Sequence, residues 1–199
     1  MYHFDHTKTY QLEDERVLLR PLEESDFGHL LPFSKKEPEL WTYSLTSAAG
    51  EENLHEYIRQ ALGARRDAKE YPFIVYDKLR KAYAGSTRFY DVQPHHQSLQ
   101  LGYTWYGRDF QGTGLNRHCK FLLLDFAFGR LDMERVEFRA DARNARSIAA
   151  MKSIGCTVEG VLRSNQLRSD GMRRDSIVLS ILKQEWVDSL RARLQALMH

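Results

Sequence analysis

Apolar residues along the chain follow two periods, one typical of helices and one typical of strands. Leu54, Ile58 and Leu62 recur every four residues, which predicts a helix with one buried face. Gly155 follows another such stretch and indicates a helix end. The predicted helices are Glu24–Phe33, Glu51–Arg66, Asn116–Arg130, Asn144–Ile154 and Glu185–Leu197.

The stretches between these helices are short and rich in aromatic and β-branched residues, as strands are. The predicted strands are Arg16–Arg20, Tyr71–Asp77, Ala82–Asp91, Ser98–Tyr106, Glu134–Asp141, Thr157–Arg163 and Arg174–Leu182. Hairpins in the first half and strand–helix alternation in the second predict an α+β (three-layer α/β) fold. Its mixed, mostly antiparallel sheet should have about seven strands, with helices on both faces. Because no linker or repeat interrupts the pattern, a single domain is expected over residues 1–199, with a core over 16–183 and a C-terminal helix over 185–197.

Composition then narrows the classes of protein. With 199 residues, 42% hydrophobic and 28% charged, the chain has the composition of a globular domain. A net charge of +2 argues against a protein that coats DNA. No apolar run reaches the roughly 18 residues of a membrane-spanning helix, and Met1–Tyr10 does not resemble a signal peptide. We therefore expect a cytoplasmic protein with no membrane partner.

The two cysteines, Cys119 and Cys156, stand in apolar surroundings and fit no zinc or redox spacing. A reduced thiol in such a place packs as a small hydrophobic group. We expect both cysteines to be structural, and the sequence predicts no metal site.

Two glycines stand between a predicted strand and a predicted helix, in the loop Gln111-Gly112-Thr113-Gly114-Leu115-Asn116. Glycine lets the backbone approach a ligand closely, and the first N–H groups of a helix have no partner within it. With the positive end of the helix dipole, these amides favour a phosphate or pyrophosphate. Ordinary tight turns share this spacing, and neither the P-loop nor the full Rossmann pattern is present. Taken alone, the loop leaves both interpretations open.

An ordered set of motifs makes the interpretation more specific. The motifs are Leu18-Arg20-Pro21, Gly85-Ser86, Gln111–Asn116, Glu134–Arg139, Asn144 with Ser147, Gly155 with Val158-Glu159-Gly160, and Trp186. Together they resemble the GNAT superfamily of N-acetyltransferases, in its RimJ/RimL-like branch. The phosphate loop of that family ends in glycine or alanine, whereas this chain has Asn116 there.

The resemblance implies acetyl-CoA as the cofactor and gives the loop and its neighbours roles in binding it. The strand around Gln100–Tyr106 should diverge from its neighbour and pair with the pantetheine arm, and Asn144 should cap a helix and reach the same arm. The implied cofactor contacts are Thr104, Trp105, Tyr106, Gln111, Gly112, Thr113, Gly114, Leu115, Asn116 and Asn144.

Two residues are candidates for proton transfer. Ser147 should lie near the positive end of a helix, where its hydroxyl would protonate the departing thiolate as general acid. Glu137 is the candidate general base, and an ion pair with Arg135 or Arg139 is the structural alternative. Relatives often carry glutamate where this chain has Gln100 and Gln166. Tyr103, His95 and His96 are weaker candidates, and water alone is the remaining one.

The resemblance implies an amine acceptor, and Trp41, Tyr43 and Tyr103, with Trp105, are candidates to line its pocket. The favoured acceptor is a protein N-terminal amine, as in ribosomal-protein acetyltransferases, and the alternative is a small amine such as a polyamine, antibiotic or amino acid. A catalytically silent acyl-CoA-binding domain stays open as well. The stretch Arg139–Arg174 holds eight basic and three acidic residues, so anion or nucleic-acid binding is a further, less favoured hypothesis. A homodimer is neither predicted nor excluded.

Overall fold

A computed structural model describes residues 4–168 and 170–198. Their eight strands form one sheet in the order β1-β2-β3-β4-β5-β6-β8-β7. All neighbouring strands run antiparallel except β5 and β6, which are parallel. The strands are β1 (Leu12–Glu13), β2 (Val17–Pro21), β3 (Glu70–Asp77), β4 (Ala82–Gln93), β5 (Ser98–Tyr106), β6 (Arg135–Asp141), β7 (Thr157–Leu167) and β8 (Arg173–Leu182).

Seven of these strands were predicted, and β1 is the additional one. It has only two residues, too few to leave a periodic signal. Strand β7 is four residues longer than the predicted Thr157–Arg163, because pairing with β8 resumes at Gln166 after a register shift. The mixed, mostly antiparallel sheet with helices on both faces is confirmed.

The helices also follow the predictions closely, and α2 has the predicted bounds. The first predicted helix begins with a 3-10 turn, Glu24–Asp26, and the third and fifth contain π-helical turns over Phe126–Arg130 and Trp186–Leu190. The helices are α1 (Phe27–Lys36), α2 (Glu51–Arg66), α3 (Leu115–Asp125), α4 (Ala145–Ser153), α5 (Lys183–Glu185) and α6 (Arg191–Ala196).

Strand alternation divides the apolar side chains between two cores. Phe73 and Ile74 are adjacent in β3 and belong to opposite cores, since successive side chains point to opposite faces. One core packs the sheet against α3, α4 and the C-terminal helices. The other packs it against α1 and α2.

The sheet opens between β5 and β6, in the middle of the molecule. Their pairing begins at Ser98 and ends where Gln100 lies opposite Glu137. From Leu101 onwards, no strand of the described residues pairs with the edge of β5 that faces β6. A β-bulge adds to the divergence, because Tyr103 and Thr104 together lie opposite Thr87, and Tyr103 has a positive φ of 49°.

Candidate active site

The opening between β5 and β6 leads into a cavity of about 850 Å³. We call its two parts the loop half and the tyrosine half. The loop half is formed by Gln111, Gly112, Gly114, Asn116, Lys120, Asn144 and Ser147. The tyrosine half lies towards α2 and is formed by Trp41, Tyr43, Tyr57, Tyr90, Gln100, Tyr103, Gln166 and Arg174.

The glycine loop presents unpaired backbone donors to the loop half. None of the five backbone N–H groups from Gly112 to Asn116 donates to another residue in the described part of the chain. Gly112 and Gly114 have φ values of 73° and 88°, a left-handed conformation that favours glycine, and both have open space where a Cβ would stand. Amides in this arrangement at a helix N-terminus fit a phosphate group.

Three side chains of the loop contact other parts of the protein. Gln111 Nε2 donates to Tyr106 O at 2.6 Å, and Thr113 Oγ1 donates to Phe110 O at 2.8 Å. Leu115 is fully buried in the core. The side chains of Thr113 and Leu115 are outside the cavity lining, so only their backbone groups remain candidates for a ligand contact. Asn116 lines the cavity, as expected.

Strand β5 supplies the wall opposite α4. Thr104, Trp105 and Tyr106 all line the cavity, on the edge of β5 that β6 has left. On the opposite edge of β5, Gly85 permits the close approach of β4, because a Cβ at that position would lie 2.0 Å from Trp105 O. An extended ligand with amide groups fits this unpaired edge, since strand backbone groups require partners.

Asn144 and Ser147 lie at the start of α4 and both line the cavity. Asn144 Oδ1 accepts a hydrogen bond from the Ser147 backbone N–H at 3.1 Å, which confirms that Asn144 is the N-cap. This bond leaves Asn144 Nδ2 available to a ligand. The Ser147 hydroxyl has no hydrogen-bond partner in the described part of the chain and is available too.

Glu137 does not reach the cavity, contrary to the expectation for a general base. Its carboxylate accepts hydrogen bonds from Arg135 at 2.9 Å and from Arg139 Nε at 2.6 Å. Arg139 itself lines the cavity, whereas Glu137 does not. The structural alternative, an ion pair with both arginines, is the arrangement that the structure shows.

Lys120 is a residue of the loop half that the sequence analysis missed. It is only 5% exposed, and its Nζ donates to Thr104 Oγ1 at 2.9 Å. No described carboxylate forms an ion pair with it, and burial lowers the pKa of the ammonium group to about 8. Lys120 could have been found from its position four residues after Asn116, because residues four apart lie on the same face of a helix.

The tyrosine half contains the aromatic residues expected for an acceptor pocket. Trp41 and Tyr103 line it, with Tyr43 at its more exposed end. The Tyr90 and Tyr103 rings lie 5.1 Å apart at a steep angle, and burial raises the pKa of both phenols. Their hydroxyls are therefore neutral hydrogen-bonding groups at ordinary pH.

The charged stretch Arg139–Arg174 does not form one basic surface. Arg143 pairs with Asp141 at 2.7 Å, and Arg168 pairs with Asp170 at 2.6 Å. Its cavity-lining members are Arg139, Arg146 and Arg174. This division favours recognition of a bound anion over a broad nucleic-acid surface.

Two other expectations concern the rest of the chain. Cys119 and Cys156 are free and buried, in agreement with a structural role, and burial raises the pKa of each thiol to about 12. Among the described residues, no helix is long and apolar enough to cross a membrane.

Comparison with known proteins agrees with this geometry. Residues 16–157 match the acetyltransferase (GNAT) domain family. A Bacillus subtilis protein named as a ribosomal N-acetyltransferase, YdaF, is 30% identical over 102 residues, which cover 51% of this chain and 55% of YdaF. The N-acetyltransferase p20 of Bacillus licheniformis is 24% identical over 88% of this chain and 97% of its own length.

A crystal structure of an acetyltransferase from T. thermophilus gives the structural comparison. It has a TM-score of 0.88 and 33% identity, and the alignment covers 100% of both chains. The two proteins therefore share one fold over their whole length, and the family match covers most of this chain. This chain belongs to the GNAT family of acetyltransferases.

Proposed function

We propose that the chain is an acetyl-CoA-dependent N-acetyltransferase that modifies a primary amine bound in the tyrosine half. The observation that carries this proposal is the cavity itself. It joins a loop with five unpaired amides to a strand edge without a partner, and it continues into an aromatic pocket. A phosphate-bearing, amide-containing cofactor fits the first two parts, and an acceptor fits the third.

The residues that hold the cofactor follow from the available donors. The backbone N–H groups of Gly112–Asn116 hold the pyrophosphate, assisted by the positive end of α3. The free edge of β5 at Thr104–Tyr106 and Asn144 Nδ2 bind the pantetheine arm. Arg117 and Arg146 also line this half and add positive charge near the phosphates.

When bound, acetyl-CoA supplies a thioester whose acetyl group an uncharged amine can accept. Backbone N–H groups on the free edge of β5 stabilise negative charge on the carbonyl oxygen, as an oxyanion hole does. Ser147 would donate its hydroxyl proton to the departing sulfur and regain a proton from water, and its position at the N-terminus of α4 favours negative charge there. The side chain of Lys120 lies beside Thr104 and adds a positive charge to the same region.

The acceptor proton leaves through water in this scheme. Glu137 is held by two arginines outside the cavity, and Gln100 and Gln166 cannot act as bases. The raised pKa values of Tyr90 and Tyr103 keep both phenols protonated. Water in an open cavity accepts the proton without a dedicated carboxylate.

We favour an N-terminal protein amine as the acceptor, in keeping with the name of the Bacillus subtilis relative, a ribosomal N-acetyltransferase. A small amine is the second candidate, because Arg168 donates to Thr42 O at 3.0 Å and so ties the end of β7 to the segment that carries the cavity-lining Trp41 and Tyr43. The test is an acceptor panel of N-terminal peptides, polyamines, aminoglycosides and amino acids with acetyl-CoA. Release of free CoA that depends on one of these amines supports the proposal. Tight acetyl-CoA binding without release identifies a silent binding domain instead.

A further inference from the structure

The tyrosine half contains a buried cation that forms no ion pair with any described carboxylate. Arg174, the second residue of β8, is 5% exposed and lines the cavity. Its Nε donates to Ser176 Oγ at 3.1 Å. Its two terminal nitrogens donate no hydrogen bond to any described residue, and it has no ion-pair partner among them. The end of the guanidinium group is therefore available to a ligand.

The neighbouring arginines differ from Arg174 in this respect. Arg88 pairs with Glu70 at 2.6 Å, and Arg139 pairs with Glu137 at 2.6 Å. Each of these arginines is neutralised by a carboxylate from another residue of the same sheet. Because a guanidinium stays charged inside proteins and a buried unpaired charge is costly, the isolation of Arg174 requires an explanation.

The cavity offers Arg174 no carboxylate of its own. Three carboxylates line the cavity, and each is engaged elsewhere. Glu39 pairs with Arg108, Asp141 pairs with Arg143, and Asp91 accepts a hydrogen bond from Gln100 at 2.7 Å. The charged and titratable groups nearest Arg174 are Asp141, the phenols of Tyr90 and Tyr103, and the cation of Arg139. Since Asp141 is held by Arg143, a carboxylate of the bound molecule is the anion that can pair directly with Arg174.

We propose that Arg174 binds a carboxylate of the acceptor, so that the preferred acceptors are primary amines that also carry a carboxylate. A guanidinium offers two parallel N–H groups, which match the two oxygens of a carboxylate. The inference rests on the proposed function and specifies its substrate class. The carboxylate is either the α-carboxylate of an amino acid or an acidic side chain near a peptide N-terminus.

Matched acceptor pairs test this with the unmodified protein. One arm compares serine with serinamide, and the other compares the peptide amides Ser-Glu-Ala-NH2 and Ser-Gln-Ala-NH2. Each pair differs in one carboxylate and keeps the amine. We expect kcat/KM to be at least about tenfold higher for the carboxylate member of one pair, as a charge-assisted hydrogen bond predicts. The arm that shows the preference identifies the source of the carboxylate.

Variants then assign the preference to Arg174. Arg174→Met should remove the difference within the pair by raising KM for the carboxylate member, and Arg174→Lys should retain part of it. The matched control is Arg173→Met, because Arg173 is the exposed neighbour in β8 and bonds Ser164 Oγ at 2.9 Å outside the cavity. Arg173→Met should keep the full preference.

A binding measurement separates failure of this inference from failure of the proposed function. The melting temperature is measured with each member of the pairs, for the unmodified protein and for Arg174→Lys. A larger shift with the carboxylate member that is reduced, but not abolished, in Arg174→Lys supports Arg174 even where no amine releases CoA, and in that case only the proposed function fails. Turnover with equal kcat/KM for both members of both pairs overturns the role of Arg174 and leaves acetyl transfer intact.

Discussion

Lys120 donates a hydrogen bond to the Thr104 hydroxyl across 2.9 Å, close to the point where β5 leaves β6. Thr104 Oγ1 lies in turn 2.7 Å from Thr87 Oγ1. The bond connects α3, whose N-terminus carries the glycine loop, to the strand edge that should hold the pantetheine arm. A single buried ammonium group thus links the two cofactor-binding features.

The first prediction concerns the cost of burying Lys120. Burial lowers its pKa from 10.5 to about 8, so the folded protein binds fewer protons than the unfolded chain between these pH values. Below pH 8 the full cost of the buried charge is present, and it disappears as pH rises towards 10.5. At about 1.4 kcal/mol per pKa unit, this cost is about 3 kcal/mol.

Lys120→Met should therefore raise the free energy of unfolding at pH 7 in the absence of ligand, with a gain that shrinks between pH 8 and 10.5. Denaturant unfolding at several pH values measures this. Lys152→Met changes an exposed lysine of α4 and should have an effect near zero. A Lys120→Met variant that is less stable than the unmodified protein at pH 7 contradicts the account.

The second prediction concerns the left-handed conformation of Gly114. Gly114→Ala should lower the free energy of unfolding by about 1–2 kcal/mol, because a Cβ disfavours a φ of 88°. The distorted loop should also weaken acetyl-CoA binding at least tenfold in calorimetry. Gly28→Ala is the control, since it lies in α1 with open space around it. Equal affinities for acetyl-CoA in all three proteins would exclude the loop as the phosphate site.

The third prediction concerns the Ser147 hydroxyl. Ser147→Ala keeps the backbone N–H that Asn144 caps, so the helix should remain intact. We expect kcat to fall by about 100-fold, the lower end for a lost general acid, while KM for acetyl-CoA stays within about twofold. Ser189→Ala, on the exposed C-terminal helix, is the control. If kcat is unchanged in Ser147→Ala, the proton on the leaving sulfur comes from another donor.

The fourth prediction concerns Glu137, whose carboxylate is held by two arginines and does not line the cavity. Glu137→Gln should leave kcat and its pH dependence within about twofold of the unmodified protein. It should lower stability by roughly 1–3 kcal/mol, because two arginines lose their shared carboxylate. Steady-state kinetics across pH, together with denaturant unfolding, measure both effects. A kcat reduced tenfold or more, with loss of the acidic limb of the pH profile, would restore Glu137 as the base.

Local patterns predicted the fold well where the periodicity was strong. The apolar spacing of Leu54, Ile58 and Leu62 gave the bounds of α2, which the structure reproduces. The end of β7 was missed, because it follows a bulge at Ser164, where φ is 50°, and the residues there are polar. A bulge is stabilised by its partner strand, so a single strand's pattern carries little sign of it.

The cofactor side of the cavity was more predictable than the acceptor side. The glycine loop and the Asn144 cap depend on neighbouring residues, and such local relations can be derived from sequence. The surroundings of Arg174 and Glu137, in contrast, depend on which residues the pairing of β6 with β8 brings together. Alternation along β6 places Glu137 on one face of the sheet, but it does not show that Arg135 and Arg139 hold the carboxylate there.

The most direct test of the central claim is acetyl transfer by the purified protein. Acetyl-CoA is incubated with serine, with Ser-Glu-Ala-NH2 and with their carboxylate-free counterparts, while free CoA and the intact mass of each acceptor are followed. The account predicts CoA release that requires an amine, matched mole for mole by the acetylated acceptor and faster for a carboxylate-bearing amine. If no amine in this set or in the wider panel raises CoA release above the acceptor-free rate while acetyl-CoA still binds, the chain is not the N-acetyltransferase proposed.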